Sequence, residues 1–467
     1  MENGPPWRER LFAYLLFVGA TALTGVLVLY LALFAHLASA DVHPRGRGWL
    51  ALFIPLLAIA GILLWRSRPR TRVPVPVKAL AVFLALAVLL PGWQAYAWMR
   101  GPQMYVWTWL QPMEPVPGQP VGVLRTRASE LVRARTDGLY LINSEGRSGW
   151  RLPAPEGTSV CELSRSAPED TGIVAYRRSD GGGTGTGCGA QVAAVDLYSG
   201  RTLWSKDLAP GGGQAVAVVG GTALAAAEGA LLGLDAREGT ERWRIDIPQG
   251  CTVGAVDGAG DRILYVERCA DGAARLTAAD ARTGARAWQS SLPPGLGPAG
   301  EVRILSVQPV AVRVPDGVLL FDDSGHGRGT IPVSGPQEDL SSTDGDLLIT
   351  PVQGKSPGLS AYSLTDGRRL WHTGLGGEQP RALARGKGTG EVDVLTARGG
   401  WTYLWRLDER TGRRREQPAV LRDLPLAARF KMYTDTPDGP TFVNLDPETN
   451  APTALPTVFW MAPVLGW

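Results

Sequence analysis

Charge is scarce in this chain of 467 residues: only 19 % are Asp, Glu, Lys or Arg, against 45 % hydrophobic. That balance excludes a disordered polymer and allows about two to four domains. An excess of either sign is also lacking, with 47 basic and 44 acidic residues overall, and 37 against 41 over residues 101–467. Nothing concentrates positive charge as phosphate neutralisation demands, so a nucleic-acid partner is excluded. Cysteine and histidine number four each, and no two cysteines lie closer than 18 positions. A Cys-x-x-Cys or Cys/His metal cluster is therefore absent. His326 and His372 stand alone in the long C-terminal region, with no spacing that suggests a Ser/His/Asp arrangement. Gly183-Thr-Gly185-Thr-Gly187 lacks the Lys-Ser/Thr ending of a phosphate loop and reads as an ordinary loop. Asp257-Gly-Ala-Gly-Asp261 and Ser342-Thr-Asp344-Gly-Asp346 lack the glutamate-closed loop of a Ca²⁺ site and read as hairpin turns.

Long uncharged runs, by contrast, are present at the N-terminal end. Leu11–Ala35 (25 residues), Trp49–Trp65 (17) and Ala79–Trp98 (20) contain no Asp, Glu, Lys or Arg. At 1.5 Å per residue each reaches or approaches the ~30 Å of a hydrocarbon core, so three transmembrane helices are expected. Arg66, Arg68, Arg70, Arg72 and Lys78 occupy the second loop without an acid, whereas Arg45 and Arg47 in the first loop accompany Asp41. The second loop is then cytoplasmic, as is the N-terminus with Arg8 and Arg10, and everything after Arg100 lies outside the plasma membrane. Ala38-Ser39-Ala40 has the form of a signal-peptidase site, but the preceding run is too long for a signal core. With only His36 titratable among the runs besides tyrosines, the spans read as an anchor in the lipid bilayer rather than an ion path.

Residues 1–100 are thus expected to form the anchor and residues 101–120, with Pro102, Pro112, Pro115, Pro117 and Pro120, a stiff linker. Tyr105, Trp107 and Trp109 alternate within it, as either a membrane-surface collar or one face of a short strand. Residues 121–467 repeat themselves. Asp196…Gly200…Trp204 recurs as Asp235…Gly239…Trp243 and Asp280…Gly284…Trp288, with Ser363…Gly367…Trp371 a fourth copy. Weaker copies lie at Gly146…Trp150, Asp322 to Gly327, Asp408…Gly412 and Asp446…Asn450. Turn glycines step by 39, 45, 83 and 45 positions, the period of a propeller blade. Aspartate accepts the turn's backbone N–H groups, glycine supplies positive φ, and the tryptophan packs between blades. Eight turns predict an all-β propeller of eight blades, or seven if the last turn belongs to a closing strand.

The pattern Ala194-Val-Asp196-Leu-Tyr-Ser-Gly200-Arg-Thr-Leu-Trp204 resembles the pyrroloquinoline-quinone (PQQ) type of repeat, and so does Ala279-Asp280-Ala-Arg-Thr-Gly284-Ala-Arg-Ala-Trp288. The resemblance implies a β-propeller, shared by quinoprotein dehydrogenases and by non-catalytic scaffolds such as the outer-membrane assembly lipoprotein. Membrane glucose dehydrogenase resembles this chain in carrying N-terminal spans. Catalytic members hold an adjacent Cys-Cys pair against the quinone, whereas Cys251 and Cys269 are 18 positions apart. No cofactor, metal or catalytic residue is therefore expected, and the expected function is a platform for an envelope protein or glycan. The alternative is a PQQ-dependent dehydrogenase passing electrons to quinone, which requires a carboxylate-lined channel with a nearby Arg.

Cys251 and Cys269 flank an inferred hairpin, and Cys161 and Cys188 bracket the corresponding part of an earlier blade, so two intrablade disulfides are expected. Arg410, Arg413, Arg414 and Arg415 form the one local basic cluster, read as a solvated face with docking as the alternative.

Overall fold

The computed structural model describes residues 7–39, 50–66, 96, 98–99, 103–109 and 118–463, apart from stretches within loops, of which 143–147, 179–187, 209–214, 334–341 and 446–457 are the longest. Two helices come first, α1 (Trp7–Ser39) and α2 (Leu50–Arg66). Within α1, Phe17–His36 is long and apolar enough to cross a membrane, whereas the apolar part of α2, Leu50–Leu63, is shorter. The third expected span, Ala79–Trp98, lies outside the described residues except for Tyr96 and Trp98, which are helical.

The remainder is an eight-bladed propeller. Seven blades are four-stranded antiparallel units over residues 120–153, 158–207, 216–246, 251–291, 303–331, 342–374 and 379–421. The eighth takes three strands from 430–463 and its outer strand from Gln103–Trp109. That N-terminal strand runs antiparallel to Val458–Pro463 and parallel to Ala419–Leu421, so the last two blades merge into one eight-stranded sheet. Seven blades are thereby excluded. The Asp446…Asn450 segment connects the second and third strands of blade 8 and does not precede an outer strand. Part of the expected linker is strand, because only a segment from the other end of the chain can complete a ring without an open edge.

No single core exists. Each of eight apolar clusters lies between successive blades, from Leu124, Val132 and Val174 between blades 1 and 2 to Leu131, Val443 and Val458 between blades 8 and 1. Inner strands are therefore covered on both faces, and Thr222–Ala227 is buried almost without alternation. Outer strands face solvent on one side, and in Glu241–Asp246 Trp243 alone is buried. A buried guanidinium, Arg133 of blade 1, donates to the carbonyl of Asn444 in blade 8 at 3.2 Å, joining the two ends of the ring.

Candidate functional site

The repeat residues build the joints between blades. Asp196 Oδ1 accepts the N–H groups of Tyr198 (2.9 Å) and Ser199 (3.3 Å), and the Gly200 N–H returns to the Asp196 carbonyl at 2.8 Å. Asp235, Asp280 and Asp408 form the same turn, so the copy lacking a tryptophan folds like the others. Each tryptophan then reaches the next blade. Nε1 of Trp204, Trp243 and Trp371 donates to the carbonyls of Ala236 (3.0 Å), Ala281 (3.0 Å) and Glu409 (2.8 Å). Their rings lie against the following turn glycines, Gly239, Gly284 and Gly412, where a Cβ would meet the indole at 2.7, 2.9 and 2.5 Å. Opposite each ring, the third strand carries a small residue: Ala194, Gly233, Ala278 or Ala361.

Two blades depart from this joint for visible reasons. Blade 5 reverses the volumes: Leu320 on the third strand faces Gly329 on the outer one, and Gly367 of blade 6 packs on Leu320 instead of an indole. The blade 5 turn is also one residue shorter, closing from Asp322 to Gly325. Trp288 still covers Gly325, but its buried Nε1 has no partner among the described residues. Blade 7 needs no docking tryptophan, since blade 8 draws its outer strand from the N-terminal side and has no turn to receive one.

Four charged groups that sequence reading passed over meet in the central channel. Arg165, in the loop 164–170 of blade 2, crosses to donate to the carbonyl of Ile304 in blade 5 at 3.3 Å. Ser166 of the same loop donates to the Val218 carbonyl of blade 3 at 3.4 Å. Burial pushes the Glu162 carboxyl up to about 7, against the opposing pull of Arg165 and Arg303. Asp257 of blade 4 is likewise raised by burial, against the Gly258 N–H and Arg165. It lies in a strand rather than the expected turn, because Cys251–Ala259 and Arg262–Cys269 extend to a tighter connection at Gly260 and Asp261. The loop ends in two consecutive non-glycine residues at positive φ, Glu169 (56°) and Asp170 (55°), a strained geometry. Glu169 pairs with Arg237 of blade 3 at 3.0 Å beside a cleft of about 110 Å³ lined by Thr171, Asp235 and Arg242. These residues are single and far apart in the chain, so no motif announced them.

The remaining sequence candidates are accounted for locally. Cys161–Cys188 and Cys251–Cys269 are disulfides within blades 2 and 4. His326 lies 3.6 Å from Asp322 in its own turn, and His372 Nδ1 is 3.1 Å from Ser360 Oγ. In the arginine cluster, Arg414 stacks 4.2 Å from the Trp405 ring centre, and Arg415 pairs with Glu391 (3.0 Å) and Asp408 (2.9 Å). One of its four arginines is thus ion-paired and a second is held on an indole face. Gly183–Gly187 lies outside the described residues.

The family model described as outer membrane protein assembly factor BamB matches residues 189–417, across the blades whose turns and tryptophans interlock. This is a PQQ-like repeat β-propeller. Among solved structures, the PQQ-like propeller is similar to BamB from Moraxella catarrhalis, at 14 % identity, covering 73 % of this chain and 95 % of that one, with a TM-score of 0.44. It is similar to the C-terminal WD40 domain of Sif2, at 9 % identity, 76 % and 98 % coverage and a TM-score of 0.47. The quinohemoprotein alcohol dehydrogenase ADHIIG from Pseudomonas putida HK5 aligns at 12 % identity, 73 % coverage of each chain and a TM-score of 0.42. No curated protein matches the chain. All four cysteines are committed to disulfides, and among the described residues no three His, Cys, Asp or Glu are grouped to hold a metal.

Proposed function

We propose that this propeller is a membrane-anchored interaction platform of the cell envelope, held outside the plasma membrane and presenting its loops to an envelope protein or glycan. The match to an assembly-factor family over residues 189–417 carries the reading. The interlocked joints support it, because a rigid ring displays loops of free sequence at little ordering cost. Packing at the membrane end supports the anchor: Met99 is fully buried beside Tyr30, Leu33 and Phe34 of α1 and Leu50 and Phe53 at the start of α2. The end of α1, the start of α2 and residues 96–99 then share one side of the bilayer. Two disulfides suit an oxidising compartment, which agrees with an exterior propeller.

Cross-linking in intact cells, with a photoreactive residue in the loops of either face, tests the platform. A discrete adduct that disappears when one loop is altered is the expected result. Saturable binding of PQQ with Ca²⁺ by the full chain, accompanied by dye reduction, would replace this reading with the dehydrogenase one.

A further inference from the structure

We infer that the propeller face bearing the turns between third and outer strands rests on the phospholipid headgroup layer, which turns the opposite face, with both disulfides, away from the bilayer. The inference rests on the anchored reading above and adds an orientation to it.

Chain reach supplies the first argument. Met99 is packed among the membrane helices, and Gln103 begins the outer strand of blade 8. Four steps of at most ~3.6 Å leave that strand's start within roughly 15 Å of the helices. The strand pairs Met104 with Pro463 and runs antiparallel to the third strand of its blade, so it starts on the side where the other blades make their third-to-outer turns. The membrane end is thus tethered to that rim, at the junction of blades 7 and 8.

The rim of third-to-outer turns is even in length. In blades 2 to 6 the third-to-outer turns are short and alike, between outer strands starting at Arg201, Glu241, Arg286, Gly327 and Arg369 and the third strands before them. The opposite face carries the connections 179–190, 292–302, 332–341 and 445–457. Even turns can approach a planar headgroup layer together.

The chemistry of the turn tips fits that layer. The turn aspartates face back into their own backbone, leaving the side chains of Arg201, Arg282, Arg368, Arg410 and Arg413 exposed at the rim. Guanidinium groups bind phosphate oxygens in pairs and extend on flexible stems. Glu238, Asp323 and Asp366 alternate with them, so the rim is of mixed charge and suits headgroups that carry both phosphate and amine.

The test uses the full chain in nanodiscs of phosphatidylethanolamine and phosphatidylglycerol containing a radiolabelled lipid. A photoreactive residue is introduced singly at Arg282 or Arg368 on the turn face, and at Asp271 or Asp316 on the opposite face, all exposed positions. Lipid adducts several-fold more abundant at Arg282 and Arg368 are expected. Equal labelling of the two faces, or an excess at Asp271 and Asp316, would overturn the orientation while leaving the anchor intact. Failure of the chain to co-purify with the discs would overturn the anchored reading as well.

Discussion

Gly200 and Gly229 both adopt positive φ, 72° and 67°, yet their surroundings differ completely. A Cβ on Gly200 would meet the Trp150 ring at 2.4 Å, whereas nothing lies within 4 Å of one on Gly229. Gly229→Ala should therefore cost only about 1–2 kcal/mol of stability, from added backbone strain. Gly200→Ala should lose roughly 3 kcal/mol or more, since the indole must leave its joint; urea midpoints of the two variants test the difference. Glu162 makes a prediction with a definite sign. Its folded pKa is raised from 4.5 to about 7, so its carboxyl contributes most below pH 4.5 and that contribution is lost as pH rises through 7. Glu162→Gln should thus stabilise the protein by roughly 1–2 kcal/mol at pH 8 and by little at pH 4.5. A Tm gain that is equal at the two pH values would contradict the assignment.

At the scale of the blade, the strong sequence copies are those where a small residue, an indole and a positive-φ glycine meet. The weak copies are explained by neighbours rather than by decay: Leu320 replaces an indole in blade 5, and blade 7 faces a blade without the receiving turn. Sequence comparison of single repeats hides this, because each joint is shared by two blades. The disulfides act at the same scale. Cys251 and Cys269 are direct partners on adjacent strands, closing a loop of separation 18, while Cys161–Cys188 spans 27 positions and clasps the glycine-rich connection. Replacing either pair by alanine should cost about 2–4 kcal/mol, slightly more for the longer loop. Chemical denaturation of the two double variants checks both the magnitude and the order.

For the molecule as a whole, one short strand decides whether the ring is closed. Tyr105 pairs with Ala462, and proline there removes a backbone donor and disrupts the ladder. Tyr105→Pro should expose the edge of Val458–Pro463, convert cooperative unfolding into two steps beginning at blade 8, and promote self-association. Limited proteolysis and light scattering would detect these changes, and a single transition at the wild-type midpoint would argue that the closing strand is dispensable.

The repeat, its period and both cysteine pairings were legible in the chain because a turn, a hairpin and a strand obey local rules of spacing and φ. The eighth blade's outer strand was not, since Gln103 and Val420 meet only when the ring closes. The crossing of Arg165 to Ile304 was hidden for the same reason: 139 positions separate the two residues. Sequence alone determined the blade and its repetition, which are short-range consequences of residue type. Tertiary structure decided the number of blades, the source of the last strand and the charges brought to the axis, because those depend on the one contact a linear repeat cannot encode, that between its first strand and its last.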